Sequence, residues 1–283
     1  MIYLIIAILL FSLNNVLWKK NLASISISAL MTYRSLLTSL LAIGLLFYFY
    51  DLNTFTGVQF LKISIASLLG AIGLVCMLTV FKKTSMQWVA IYNLLGVGFT
   101  ILYLWIFKEL EIKSSILGIS LITLGFIFYV GTHKNSTLKI SLKQHLILLL
   151  MVVCFGTGSI INWENLHDEI PPILIIANQE SIVFISGIIL LSPQKKTSSL
   201  LPTLQKYFKR VLLMSFVIFL ALLFSFLGLK ITNPIISGTL FLASPLTTIL
   251  FSALFFKEKI SLKEWAAIAT IALGAFLLHI QTQ

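Results

Sequence analysis

The stretch Phe107-Lys108-Glu109 leaves one apolar run and leads into another that contains Leu124-Gly125. The stretch Phe256-Lys257-Glu258 does the same and leads into a run that contains Leu273-Gly274. Both parts of the pattern recur at one offset of 149 residues (256 − 107 and 274 − 125), about half of the 283-residue chain. A charged segment between apolar runs is common, but its recurrence together with the Leu-Gly pair indicates an internal repeat. The sequence therefore predicts two homologous halves.

The composition is typical of a membrane protein. Hydrophobic residues make up 59% of the chain and charged residues 10%, whereas a soluble domain carries about 25% charged residues. The runs are apolar all round and lack the amphipathic stripe that a soluble helical bundle requires. Because no water satisfies backbone amides in hydrocarbon, such runs cross the membrane as helices. We therefore expect an all-α integral membrane protein.

Ten runs are close to the ~20 residues that a helix needs to cross a bilayer. They cover residues 1–18, 26–49, 61–81, 86–107, 115–132, 145–163, 172–191, 210–229, 234–256 and 264–280. We assign residues 1–132 to a first five-helix repeat, 133–144 to a polar link and 145–283 to a second five-helix repeat. Five spans per repeat invert the second half, which predicts ten transmembrane helices in two inverted repeats around a central cavity. Pro245, inside the ninth run, should kink that helix.

Lysine and arginine are distributed unequally between the loops, numbered from the one that joins the first two spans. The odd-numbered loops hold 15 of the 20 basic residues, the even-numbered loops hold four, and Arg34 lies inside a span. The positive-inside rule then places the odd-numbered loops in the cytoplasm and both termini outside the inner membrane. The net charge of +11 therefore indicates contact with membrane lipids, and we do not expect a nucleic-acid partner.

Two ionisable residues lie within spans, where charge is costly and function is a default hypothesis. Aligning Ser26 with Pro172 places Arg34 opposite Glu180, at an offset of 146 in both cases (172 − 26 and 180 − 34). Arg34 could hold a carboxylate or phosphate, and Glu180 could hold an amine or carry a proton. The alternatives are a structural ion pair between the halves, or an arginine that reaches towards the interface.

Amide side chains form a second candidate group, because hydrocarbon cannot satisfy their donors and acceptors. Bonding between helices is the alternative for any one of them. Tyr92 and Trp163 could stack on a solute, whereas aromatics near span ends, such as Trp18 and Trp88, fit an interfacial belt. The predicted substrate-binding residues are Asn14, Arg34, Tyr92, Asn93, Asn162, Trp163, Asn178 and Glu180.

Sequence motifs of enzymes and metal sites are absent. The chain has no Walker loop, no HExxH, no G-x-S-x-G and no clustered His/Cys set. Its two cysteines, Cys76 and Cys154, have no metal-ligand spacing. We therefore expect no enzyme activity, no catalytic residue, no metal site and no cofactor.

Together these residues resemble the drug/metabolite transporter superfamily, EamA type, over nearly the whole chain. The best-matched parts are Lys108-Glu109 with Gly125 and Lys257-Glu258 with Gly274. The resemblance implies a ten-helix basket with alternating access, similar to exporters of amino acids, other metabolites and drugs. Two features depart from the family: its hinge is usually Gly-Glu, and its bacterial members are drawn with both termini in the cytoplasm.

From the sequence we therefore expect a secondary-active transporter, a monomer in the inner membrane, that exports small organic metabolites such as amino acids or drugs. Protons or a counter-substrate would drive it, and membrane lipids would surround it. The alternatives are a sensor or assembly subunit that moves no solute, and a flippase for lipid carriers.

Overall fold

The computed structural model describes residues 2–51, 55–84, 86–108, 116–132, 140–191, 200–232, 243–257 and 260–281. These ranges are helical apart from turns and short links, and no strand occurs among them. The helices are α1 (Ile2–Leu22), α2 (Ile27–Phe49), α3 (Gly57–Phe81), α4 (Met86–Lys108), α5 (Ile116–Thr132), α6 (Leu142–His167), α7 (Pro172–Leu191), α8 (Leu200–Lys230), α9 (Ala243–Phe256) and α10 (Leu262–Gln281).

The all-α prediction is confirmed. Within the described ranges, six helices are long and apolar enough to cross a membrane: α1, α2, α3, α6, α7 and residues Leu204–Lys230 of α8. The prediction of ten spans is not settled by this number. Residues 233–242 lie outside the described ranges, and Pro245 is only the third residue of α9 as described. The predicted kink at Pro245 therefore stays a prediction.

Several helix starts are encoded by local capping residues. Thr56 caps α3, and its hydroxyl and backbone N–H are both bonded to Gln59. Ser141 and Gln144 form the same reciprocal pair at the start of α6. Such pairs satisfy backbone donors that have no partner within the helix, so they fix where each helix begins.

Most helices pack mainly against helices of the other predicted half. The main pairs are α1 with α8, α2 with α7, α3 with α6, and α5 with α10. The next pairs are α3 with α7, α2 with α8, α4 with α6, α1 with α9, and α4 with α9. If α1 is exchanged with α6, α2 with α7, and so on to α5 with α10, the same nine pairs result. The halves therefore share their packing surfaces instead of forming separate cores.

Glycine lies at the close approach in each of the four main pairs. A Cβ built at these positions would lie 2.7 Å or less from an atom of the facing helix. The contacts are Gly187 with Thr32, Gly228 with Leu4, Gly73 with Phe155, and Gly125 with Ile271. Helices in lipid associate through such close contacts, because burying apolar surface gains little there.

The turn between α6 and α7 is joined by ion pairs to two other helices. Lys62 Nζ lies 3.0 Å from Asp168 Oδ2, and Lys230 Nζ lies 2.8 Å from Glu169 Oε2. The hydrogen bond from Lys230 and its charge lower the pKa of Glu169 below its ordinary value. Lys62 and Lys230 both belong to even-numbered loops, so these loops meet at one end of the helices.

Replacing Gly125 with alanine should destabilise the fold by about 1–3 kcal/mol, because overpacking forces helices apart. The new Cβ would lie 2.7 Å from Ile271 Cγ1 and 3.1 Å from the Ala267 carbonyl oxygen. The measurement is thermal unfolding in detergent. Gly44→Ala is the control, since its Cβ would meet nothing within 4 Å and alanine favours a helix. Equal melting temperatures for the two variants would contradict the packing argument.

Lys230→Gln should raise the pKa of Glu169 towards its ordinary value. A lowered pKa in the folded state stabilises the fold above the unfolded pKa, and this contribution is lost as the pH falls through the folded pKa. The difference in stability between the native chain and Lys230→Gln should therefore be present at neutral pH and vanish in acid. An NMR titration of the carboxyl group checks the shift, and an unchanged pKa would contradict it.

Candidate functional site

A cavity of ≈ 370 Å³ lies among α1, α2, α3, α4, α6, α7, α8 and the start of α9. Its wall is mostly apolar, and its polar part comes largely from amides, namely Asn14, Asn15, Asn93, Asn162 and Gln179. The ionisable side chains among the described lining residues are Arg34 and Glu180. A cavity of this size, apolar with a few polar groups, suits a small organic molecule.

Arg34 and Glu180 form a buried ion pair. Arg34 Nη2 lies 2.9 Å from Glu180 Oε2, and each side chain is 2% exposed. The residues come from α2 and α7, whose backbones approach closely where Gly187 meets Thr32. The structural alternative raised from the sequence, an ion pair between the halves, is therefore present. It also lies in the wall of the cavity.

Trp18 supports the guanidinium group. The Arg34 Cζ lies 5.3 Å from the centroid of the Trp18 ring, a cation–π distance. Trp18 is 1% exposed and lines the cavity. Trp88 is also 1% exposed, so the prediction of an interfacial belt is wrong for both residues, because neighbouring helices cover them.

Several buried polar atoms of the cavity have no partner within the described part of the protein. They are the Asn14 Oδ1, the Asn162 Oδ1 and the Arg34 Nε atoms. Buried polar groups in proteins nearly always form hydrogen bonds. The residues of these three atoms line the cavity, so two amide acceptors and one guanidinium donor without partners lie beside it.

Five of the eight predicted site residues line the cavity: Asn14, Arg34, Asn93, Asn162 and Glu180. The other three do not. The Tyr92 hydroxyl lies 2.6 Å from His145 Nδ1, and the Trp163 ring packs 4.6 Å from the His167 ring. Asn178 donates to the Ser64 hydroxyl at 3.2 Å.

Each of these three residues is the sequence neighbour of a lining residue. Tyr92 precedes Asn93, Trp163 follows Asn162, and Asn178 precedes Gln179. Successive residues of a helix point about 100° apart. The sequence therefore indicates the right turns of α4, α6 and α7, but it does not show which side of each turn faces inward.

A helical stripe on α1 would have identified three lining residues that are missing from the predicted site. On α1 the cavity is lined by Phe11, Asn14, Asn15 and Trp18. These positions follow the spacing i, i+3, i+4, i+7 of one helix face. The amides at 14 and 15 signal that this face of α1 is the polar, inward one.

Neutralising one member of the ion pair should cost more stability than neutralising both. Glu180→Gln or Arg34→Gln alone leaves a buried charge without its partner, at a cost of about 3–5 kcal/mol. The double variant leaves no charge and should unfold closer to the native temperature. Thermal unfolding of all four proteins in one detergent measures the coupling. Additive losses would show that the 2.9 Å contact carries no interaction energy.

Comparisons with known proteins agree with this architecture. Residues 142–280 match the EamA-like transporter family, and no curated protein matches the chain. A solved structure, described only as the crystal structure of a protein, is similar with a TM-score of 0.66 and 12% sequence identity over 96% of each chain. That likeness supports the fold over nearly the whole length. Over residues 142–280, the chain therefore resembles the EamA-like transporter family, which is part of the drug/metabolite transporter superfamily.

Proposed function

We propose that this protein is a secondary-active transporter that exports small organic solutes across the inner membrane by alternating access. The observation that carries the proposal is the Arg34–Glu180 pair, buried in the wall of a ≈ 370 Å³ cavity beside amide oxygens without partners. Charged groups at membrane depth commonly mark the path of a solute or ion. The match of residues 142–280 to a transporter family supports transport as the activity.

The packing of the helices supports two inverted five-helix repeats. The nine main helix pairs are unchanged when the halves are exchanged, as expected of two equivalent units related by a twofold axis. Arg34 and Glu180 occupy equivalent positions in that scheme. They lie on α2 and α7, which are equivalent helices of the two repeats and pack against each other. In such folds the site lies between the repeats, and each repeat can adopt the arrangement of the other.

The charges of the cavity favour a solute without net charge. The guanidinium of Arg34 is matched by Glu180 at 2.9 Å, so the described wall offers no surplus cation for a phosphorylated metabolite. A zwitterion such as an amino acid could place its carboxylate at Arg34 and its ammonium group at Glu180. The Asn14 and Asn162 oxygens could accept the remaining ammonium protons. An uncharged drug-like molecule is the second member of this class.

Glu180 is our candidate for coupling transport to protons or to exchange. Protonation of its carboxylate would remove the charge that holds Arg34 and would free the guanidinium for the solute's carboxylate. In an exchanger, the outgoing solute would be replaced by another solute that binds the same two groups. Both schemes rest on the same requirement. A proton or a solute shifts the equilibrium between the two states of alternating access only if it binds these states with different affinity.

The orientation with both termini outside is part of this proposal. The lysine and arginine count supports it, and a contact between helix ends fits the grouping of the odd-numbered loops on one side. Lys19, near the end of α1, donates to the Phe81 carbonyl at the end of α3 at 2.7 Å. The helix ends assigned to the cytoplasmic side are therefore neighbours.

Uptake of labelled amino acids and phosphorylated metabolites into proteoliposomes, with a pH gradient on and off, tests the function. Zwitterionic solutes should be taken up, and Arg34→Gln should lower their transport by about tenfold or more while the protein still inserts. Tyr92→Phe is the control, because its hydroxyl bonds to His145 and not to the cavity. It should stay within about twofold of the native rate.

Transport that follows the pH gradient would identify a proton-coupled carrier, and transport that needs internal solute would identify an exchanger. Undiminished uptake by Arg34→Gln would contradict the role of Arg34. Preferred uptake of phosphorylated solutes would contradict the neutral-solute proposal. No flux of any solute would favour a sensor in which the buried pair is a fixed link.

A further inference from the structure

Helix α8 is longer than a membrane crossing. Its 31 residues extend about 46 Å, whereas the hydrocarbon core of a bilayer is about 30 Å thick. Lys230, at its end, is bonded to Glu169 in an exposed turn, which marks the edge of the core. About 20 residues before Lys230, the other edge falls near Val211. The first turns of α8 therefore extend beyond the hydrocarbon.

Three cations lie in this extension. Lys206, Lys209 and Arg210 are all exposed. Their spacing of i, i+3 and i+4 places them on one face of the helix. All three lie within about 8 Å of Val211 along the helix axis, which is the depth of the lipid headgroup layer.

Tyr207 helps to position two of these cations. Lys206 Nζ lies 5.3 Å and Arg210 Cζ lies 5.7 Å from the centroid of its ring. Tyr207 is half-buried, while the neighbouring Phe208 is 43% exposed. Aromatic rings at this depth are typical of the membrane interface. Two cations held over one ring lose less freedom when they bind an anion.

The charges on this face are not balanced by acids. Helix α8 contains no aspartate or glutamate, and no ion pair joins its three cations to another described residue. The odd-numbered loops hold 15 basic residues, whereas Glu258 and Glu264 are the acidic residues near them. Glu264 accepts a hydrogen bond from the Ser261 N–H at the start of α10. Among the described residues this face therefore carries net positive charge, to which an external anion can bind.

We propose that Lys206, Lys209 and Arg210 bind the phosphate group of an anionic phospholipid in the leaflet that faces the odd-numbered loops. The occupant is a lipid because the three cations lie at headgroup depth with the exposed Phe208 beside them. Lipid bound there would fix the position of α8 along its axis relative to the membrane. This helix contributes Ile218, Leu222 and Phe226 to the cavity wall, so the lipid would act on the cavity through α8.

Thermal unfolding in a neutral detergent, during titration with short-chain phosphatidylglycerol, tests this site. Phosphatidylglycerol should raise the melting temperature of the native protein, whereas phosphatidylcholine and inorganic phosphate should not. K206Q with R210Q should raise the half-saturating lipid concentration by about tenfold or more. The matched control is K82Q with K83Q, which removes two exposed charges from the same end of the bundle. It should change that concentration by less than about twofold.

Equal weakening in the two double variants would overturn the proposal, because diffuse surface charge would then explain the binding. Stabilisation by inorganic phosphate equal to that by lipid would overturn it as well, as would a native protein that does not respond to phosphatidylglycerol. K209Q alone is a milder variant in case the double variant does not fold. It should weaken lipid binding about fivefold, and unchanged binding would contradict the three-cation site.

Discussion

The ion pair between Arg34 and Glu180 is the interaction on which the rest of the structure depends. At membrane depth each charge alone is costly, so the pair favours α2 and α7 as neighbours, and Nη2 and Oε2 lie 2.9 Å apart. Because one residue comes from each predicted half, the pair joins the two predicted halves. Among the described lining residues it leaves two opposite charges and no net charge, and for this reason we propose a solute without net charge.

The packing around this pair allows a cavity to persist within a closely packed helical protein. Glycines let the four main helix pairs approach closely, and each pair takes one helix from each half. The bulky lining side chains, such as Phe11, Phe155 and Phe226, then border the cavity without filling it. A cavity bounded by both halves can change its shape when the halves move relative to each other, which is the requirement for alternating access.

Much of this arrangement was predictable from the sequence, and the exceptions have physical reasons. The offset of 146 residues aligned Arg34 with Glu180, and the structure brings these two side chains to 2.9 Å from each other. Tyr92, Trp163 and Asn178 were each one residue away from a lining position, since the rotation of an apolar helix is set by its neighbours and not by its own pattern. Trp18 lies near a helix end, where burial and interfacial exposure give the same sequence signal. The cation–π contact beneath Arg34 decides between them.

The most direct test of the account exchanges the two charges, with Arg34→Glu and Glu180→Arg in one protein, and measures both thermal stability and transport. We expect the exchanged pair to restore most of the stability lost in either single variant. Transport should still be lost, because a carboxylate would then face the Trp18 ring and the amide oxygens of Asn14 and Asn162 would no longer match the charges of the solute. Native transport by the exchanged protein would contradict the account and would show that the pair is a structural link alone.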